Sequence, residues 1–299
     1  MTSSKKKTIL ILIAIGCLYF VGVASIIYPM LSNIMSLNSA KTVINGYDET
    51  VRRMDQSEVK EKLSKAQQYN KEIYEQNYDS PLATVLNGED DLICYVEIPT
   101  INVYLPVYYG TSDEVLFKGC GLLEKTSLPI GGENTHSVIS AHTGLPSAEM
   151  FTKLDQVKKG DVFYIHILNE TLAYQVDHIA AVSPKDTRLL SVEEKQDYVT
   201  LLTCTPYGIN DKRLLVRGTR IEYQPGSDDD AVAQQSYHSS AENGLSTQIN
   251  QQMAVVWMIV IASVVVFAVA CIWVMLAFVK KSSSRHLKND DLTSGGTDV

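Results

Sequence analysis

A cysteine, a histidine and an arginine each stand at the end of a strand-like run in this chain of 299 residues. Thr200-Leu201-Leu202-Thr203-Cys204 gives way to a Pro206-Tyr207-Gly208 turn, where a side chain meets solvent. The run Ser137–Ala141 ends at His142, followed at once by Thr143-Gly144. A third run starts at Arg213. A thiolate is an intrinsically strong nucleophile that forms a thioester with an acyl donor. A nearby imidazolium favours that thiolate and afterwards protonates a leaving amine. An arginine stays charged, so it donates hydrogen bonds to a substrate carbonyl or to a developing oxyanion. Taken singly, each residue has a plainer reading: a small buried thiol, a structural histidine, a surface ion pair of Arg213 with Asp211. What makes the three a candidate constellation is that one rim of a barrel would gather them.

That barrel is legible between residues 92 and 222. Runs rich in Val, Ile, Tyr and Thr cover Leu92–Ile98, Ile101–Tyr109, His136–His142, Asp161–Leu168, Thr171–Val182, Tyr198–Thr205 and Arg213–Glu222, and Gly, Pro and Asn break them. Asp113–Phe117 and Ala148–Val157 read as short helices. Seven or eight closely spaced strands predict a mainly β domain, a barrel or a sandwich. Ahead of it, Val51, Met54, Val59, Leu63, Ala66, Tyr69 and Ile73 recur at near-helical spacing, predicting one or two amphipathic helices interrupted near Gly46.

Two apolar runs flank this region. Thr8–Tyr28 is 21 residues without a charge and Met253–Val279 is 27, each longer than the ~20 apolar residues that cross a bilayer. Lys5, Lys6 and Lys7 precede the first, and Lys280, Lys281, Arg285 and Lys288 follow the second, which predicts both termini on the cytoplasmic side and the domain outside. A cleaved signal shares the charged start of the first run, but its apolar core is usually about 7–15 residues, so an uncleaved anchor is expected. The expected order is a tail at 1–7, a span at 8–28, a helical stalk and lid-like segment at 29–89, the barrel at 90–225, a flexible linker at 226–252, a span at 253–279 and a tail at 280–299.

The charge between the spans is 19 basic against 31 acidic residues, a net of −12. Such a domain is repelled by nucleic acid and by anionic surfaces, so nucleic-acid binding is excluded. Of five cysteines, Cys17 and Cys271 lie in the apolar runs, leaving Cys94, Cys120 and Cys204 outside, with at least one free thiol. A Cys94–Cys120 disulfide stays open at this point. There is no CxxC and no HExxH, hence no sign of a zinc site.

Thr200-Leu201-Leu202-Thr203-Cys204 matches the TLxTC motif of the sortases, and the string through Thr205-Pro206-Tyr207-Gly208-Ile209-Asn210 and Arg213-Leu214-Leu215-Val216-Arg217-Gly218 resembles the pilus-assembling class C. Similarity extends back through Tyr95–Pro99, Leu105–Tyr108 and Gly131–His136 to His142, covering roughly residues 90–224, and the two-span plan is also typical of that class. The resemblance implies a closed sortase-type β-barrel with short helices, an N-terminal helical segment and two flanking transmembrane helices, on the outer face of a Gram-positive bacterium. It implies Cys204 as the nucleophile on the Thr–Gly bond of an LPxTG-like sorting signal, His142 as acid/base, Arg213 as stabiliser, and Thr203 as a substrate-binding residue. The partners implied are pilin precursors, an acceptor pilin lysine and the lipid bilayer, with no metal or organic cofactor. Two alternatives remain, a sortase that attaches surface proteins to cell-wall peptide and a non-catalytic scaffold for pilus assembly.

His136 and Arg217 are rivals for two of these roles. His136 starts the strand that His142 ends, about 20 Å away, and Arg217 lies some 13 Å beyond Arg213, so neither shares a thiol with its neighbour. The family pattern selects His142 and Arg213, although the arginine that usually follows the family's histidine is here Thr143. Class C members commonly carry a lid with an Asp-Pro-aromatic motif. Here Tyr78, Asp79 and Pro81 are the lid candidates, in the order Asp79-Ser80-Pro81-Leu82, with the proline displaced and no aromatic after it. A weak lid is expected, one whose deletion leaves the trapping of Cys204 by a thiol reagent unchanged.

Overall fold

The computed structural model describes residues 3–76, 92–223 and 230–293. Two compact units divide the chain, one joining the stretch up to Met30 with that from Gln251, the other spanning Leu31–Asn250.

In the first unit, the N-terminal part of helix α1 (Ser3–Arg53) meets the C-terminal part of a long helix that begins at Asp230. The Tyr19 hydroxyl donates to the Ser263 carbonyl at 2.8 Å, and Tyr19 and Phe20 rest on the Phe267 ring. Most of the described side chains over residues 9–28 and 254–276 are apolar and exposed or half-exposed. Both helices are long and apolar enough to cross a membrane.

In the second unit, α1 runs on through Gly46 to Arg53, where an interruption near Gly46 was expected. One glycine inside a helix costs only about 1 kcal/mol relative to alanine, and the burial of Ile44 and Val51 offsets it. The break comes instead at Asp55, whose carboxylate accepts from the Glu58 N–H and starts α2 (Gln56–Tyr74). Helix α2 turns Ala66, Tyr69 and Ile73 inward against the barrel core.

Eight strands close the barrel: β1 (Leu92–Ile98), β2 (Val103–Tyr109), β3 (Cys120–Leu122), β4 (Thr135–Ser140), β5 (Val162–Ile167), β6 (Glu170–Val182), β7 (Asp197–Thr205) and β8 (Lys212–Ile221). Their order around the ring is β1-β2-β3-β4-β7-β8-β6-β5. The β2–β3 and β4–β7 pairs are parallel, and the first is linked by the short helix α3 (Asp113–Lys118). Alternation sorts the side chains: Val199, Leu201, Leu214, Val216, Phe163 and Ile139 fill the interior. Gly218 leaves room for the Phe163 ring, which would stand 2.6 Å from an added Cβ.

The expected helix over Ala148–Val157 is mostly turns with one short 3-10 turn at Leu154–Gln156. Its Met150, Phe151 and Leu154 side chains are buried as a plug at the end of the barrel. Cys94 and Cys120 both pair with Val107, one from each flanking strand. Two strand spacings are about 9.5 Å, beyond the ~7 Å limit for a disulfide, and both thiols are free and buried.

The flexible linker expected at 226–252 is corrected from residue 230 onward, where helix α4 (Asp230–Thr293) has already begun. Its first turns carry Ala231, Ala233, Gln234, Gln235 and Ala241, good helix formers, and Leu245 and Ile249 dock on Leu37, Ile44, Tyr95 and Tyr104. Lys41 Nζ donates to Ser246 Oγ at 2.9 Å beside this contact.

Candidate active site

Cys204 and Arg213 are direct cross-strand partners on β7 and β8. On neighbouring β4, Ser140 faces Leu202 and the Ala141 N–H still donates to the Leu202 carbonyl at 3.1 Å, so His142 follows directly where β4 leaves β7 two residues short of Cys204. Along β7, Val199, Leu201 and Thr203 point into the barrel, so Cys204 points outward, partly exposed. Three neighbouring strands thus bring thiol, imidazole and guanidinium to one rim, as the ends of the strands suggested.

Each group is held differently. Arg213 is half-buried, and its Nη1 donates to the carbonyls of Asn210 (3.3 Å) and Lys212 (3.1 Å). No carboxylate pairs with it among the described residues, so its charge is left for a ligand. His142 lies just past β4, and its carbonyl accepts from the Phe151 N–H at 3.0 Å. Its Nε2 is buried with no hydrogen-bond partner among the described residues. A buried polar atom of this kind calls for an explanation, and a proton-transfer role supplies one. The imidazole meets the Phe117 ring, centroids 5.5 Å apart and planes at 50°.

The rival residues are occupied. His136 is buried, its Nδ1 2.9 Å from the Ser191 carbonyl and its Nε2 2.7 Å from Thr200 Oγ1. A carbonyl only accepts, so Nδ1 carries the proton and Nε2 accepts from the threonine. Burial holds this imidazole below the usual histidine range. Arg217 donates to Asp177 at 2.7 and 3.1 Å and to Glu193 at 3.3 Å, and lies 4.1 Å over the Tyr198 ring. Its pKa is raised, chiefly by the Asp177 hydrogen bond, while Arg217 in turn helps to hold the Asp177 carboxyl low against the effect of burial. Both rivals therefore fasten the loop at 183–196 onto the outer faces of β4, β7 and β8.

Thr203, expected to bind substrate, faces the other way. Its side chain is 2% exposed and its hydroxyl donates to the Ala141 carbonyl at 2.7 Å. Thr143 Oγ1 lies 2.9 Å from it and donates to the Phe151 carbonyl at 3.2 Å. Strand alternation puts residue 203 on the face opposite Cys204, so Thr203 ties β7 to the segment carrying His142 and is not placed to touch a substrate. Tyr78, Asp79 and Pro81 lie outside the described residues.

Sequence reasoning missed two neighbours of the site, Phe117 and Tyr207, and one contact away from it. Phe117 was read only as part of a short helix. Tyr207, 69% exposed, lays its ring over Gly144, where an added Cβ would meet it at 3.1 Å. Gly144 has φ +76°, a conformation that favours glycine, and this was the one signal of a special turn after His142. The hold of Ser191 on His136 had no sequence signal. Burial pushes the Cys94 and Cys120 thiols well up, which keeps them protonated and inert, unlike a reactive thiolate. Among the described residues no three His, Cys, Asp or Glu side chains come together to hold a metal ion.

Comparison with known proteins identifies the family. Residues 96–221 match the family model described as the sortase domain. The crystal structure of Clostridium perfringens sortase C with the C-terminal cell wall sorting motif is 49% identical, covering 62% of this chain and all of its own, with a TM-score of 0.59. Streptococcus pneumoniae sortase C is 50% identical, covering 61% of this chain and 97% of its own, with a TM-score of 0.57. Sortase A of Staphylococcus aureus is 28% identical over 174 residues, 54% of this chain and 83% of its own. A chain that spans the whole of a solved sortase C at about half identity, with the strand of its candidate nucleophile inside the matched region, belongs to the sortases, the cysteine transpeptidases, and to their class C.

Proposed function

We propose that this sortase joins pilin subunits, with Cys204, His142 and Arg213 carrying the reaction. The observation that supports it most is the register of Cys204 against Arg213, with His142 just past the end of the strand on the other side of β7. The thiol proton passes to His142, and the thiolate attacks the threonine carbonyl of an LPxTG-like sorting signal. Arg213 donates to the oxyanion as it forms. His142 then returns the proton to the leaving glycine amine, and a thioester remains. The ε-amine of a lysine on the next pilin attacks that thioester, its proton goes by way of His142 to the sulfur, and an isopeptide bond is made. No bond in this sequence is oxidised or reduced, and no cofactor enters.

The substrate reading rests on the class C relatives, one of which was solved with a cell wall sorting motif. The location proposed is the cell membrane, with two spans, both termini cytoplasmic and the barrel outside, the arrangement that the basic residues at the outer ends of α1 and α4 favour. Tyr78, Asp79 and Pro81 are proposed as a weak lid. Mass spectrometry of the full chain with an LPxTG peptide, with and without a lysine peptide, tests the reaction. An adduct on Cys204 that converts to a lysine-linked product supports it; hydrolysis alone in the presence of acceptor counts against it.

A further inference from the structure

A general base is usually oriented by a third group, most often through a hydrogen bond to its second nitrogen. His142 has no side-chain hydrogen bond among the described residues, and its Nε2 is buried without a partner. Among the described residues, the ring that meets the imidazole is the phenyl of Phe117. We propose that Phe117 is the positioning residue for His142, doing by ring contact what a carboxylate or amide does in other thiol–imidazole pairs. This rests on the assignment of His142 as acid/base.

The contact is built by the crossover between two parallel strands. Ser112 Oγ accepts from the Val115 N–H and starts α3. Gly121 on β3 lets α3 sit directly on the strand: an added Cβ would lie 2.2 Å from the Gly110 carbonyl and 3.2 Å from both Val115 and Leu116. Gly119 serves the same close approach, 2.6 Å from the Pro106 carbonyl by the same measure. With Val115 and Leu116 turned to the strand, Phe117 projects about 100° further round the helix, towards the end of β4.

Core packing does not account for the ring. Helix α3 has no buried residue, and Phe117 is 61% exposed. Its ring contact is His142, at a separation where aromatic pairs attract. The centroid separation lies within the ~6 Å at which the face of a ring attracts a cation, so the contact strengthens when His142 takes the thiol proton over that face. The ring therefore restrains the imidazole most in the charge-separated state that precedes attack.

The test is steady-state transpeptidation by the full chain in detergent, with an LPxTG peptide and a lysine peptide, for Phe117→Leu, Phe117→Trp and His142→Ala. Phe117→Leu is expected to fold normally by circular dichroism and to lower kcat about 10- to 100-fold at unchanged KM, the cost of a misplaced catalytic group. Phe117→Trp restores most of kcat. Loss of the phenyl ring current also moves the His142 ring-proton resonances in Phe117→Leu. Wild-type kcat in Phe117→Leu beside a dead His142→Ala overturns the proposal and leaves the reaction scheme standing. A kcat loss that Phe117→Trp does not repair makes Phe117 a packing residue and overturns it too. Full activity in His142→Ala overturns both.

Discussion

Cys204 and Arg213 face each other across a hydrogen-bonded strand pair, so the thiol and the cation are fixed by barrel register and not by loops. Since no carboxylate competes for Arg213 among the described residues, the proposed role predicts that its replacement removes transition-state stabilisation and little else. Arg213→Ala is expected to lower kcat/KM about 10²- to 10³-fold at unchanged melting temperature, read by peptide transpeptidation and calorimetry. Arg217→Ala shows the reverse emphasis: it frees the buried edge of Asp177 and lowers stability, because its charge is already spent on Asp177 and Glu193.

Native labelling separates the three cysteines of the barrel. Iodoacetamide should modify Cys204 and spare Cys94 and Cys120, which are fully buried and held protonated. Unfolding in guanidinium should expose all three. Tryptic mass spectrometry before and after unfolding reads this directly, and native labelling of Cys94 would contradict the closed barrel.

His136 predicts a pH dependence of stability. Burial lowers its pKa in the folded state, so between that value and about 6.5 the unfolded chain binds more protons than the folded one. Its contribution is complete above about pH 6.5 and is lost as pH falls through the window below. Urea titrations from pH 7.5 to 5 should show stability falling faster in wild type than in His136→Gln. The variant is also expected to lose about 1–2 kcal/mol at pH 7.5, because the Ser191 carbonyl or the Thr200 hydroxyl loses its partner.

Thr203→Val keeps the shape of a buried side chain and removes its hydroxyl. The Ala141 carbonyl then lacks a partner, which costs about 1–3 kcal/mol. Because Ala141 adjoins His142, kcat should fall with it, while Cys204 still labels. Chemical denaturation and peptide turnover measured on one preparation check both halves. If Thr203 touched substrate instead, KM would rise at unchanged stability.

The strands were legible because they alternate and because glycine and proline break them; β1 begins and ends where its Leu92–Ile98 pattern does. Strand β3 was not, since Cys120–Leu122 is too short to show any period, and only its pairing with β2 and β4 makes it a strand. That Cys204, His142 and Arg213 gather at one rim followed from strand ends. The Phe117 contact did not, because it depends on how closely a crossover helix approaches β3, which is set by two missing side chains. The helical start of α4 was hidden by polar composition: Leu245 and Ile249 are two apolar residues in a stretch that otherwise reads as a tether. Thr203 was misplaced by its neighbourhood in the motif, although alternation from Cys204 already turns it inward.

The helical buttress on β1 and β2 has a steric corollary. In the ring β1-β2-β3-β4-β7-β8-β6-β5, β1 and β7 are four places apart, half the circumference. Leu37, Ile44 and Leu245 grip Tyr95 and Tyr104 on one flank, while the thiol opens on the other. Helices α1 and α4 thus clasp the strands farthest round the ring from the thiol, so a molecule that engages β7 need not loosen their grip on Tyr95 and Tyr104.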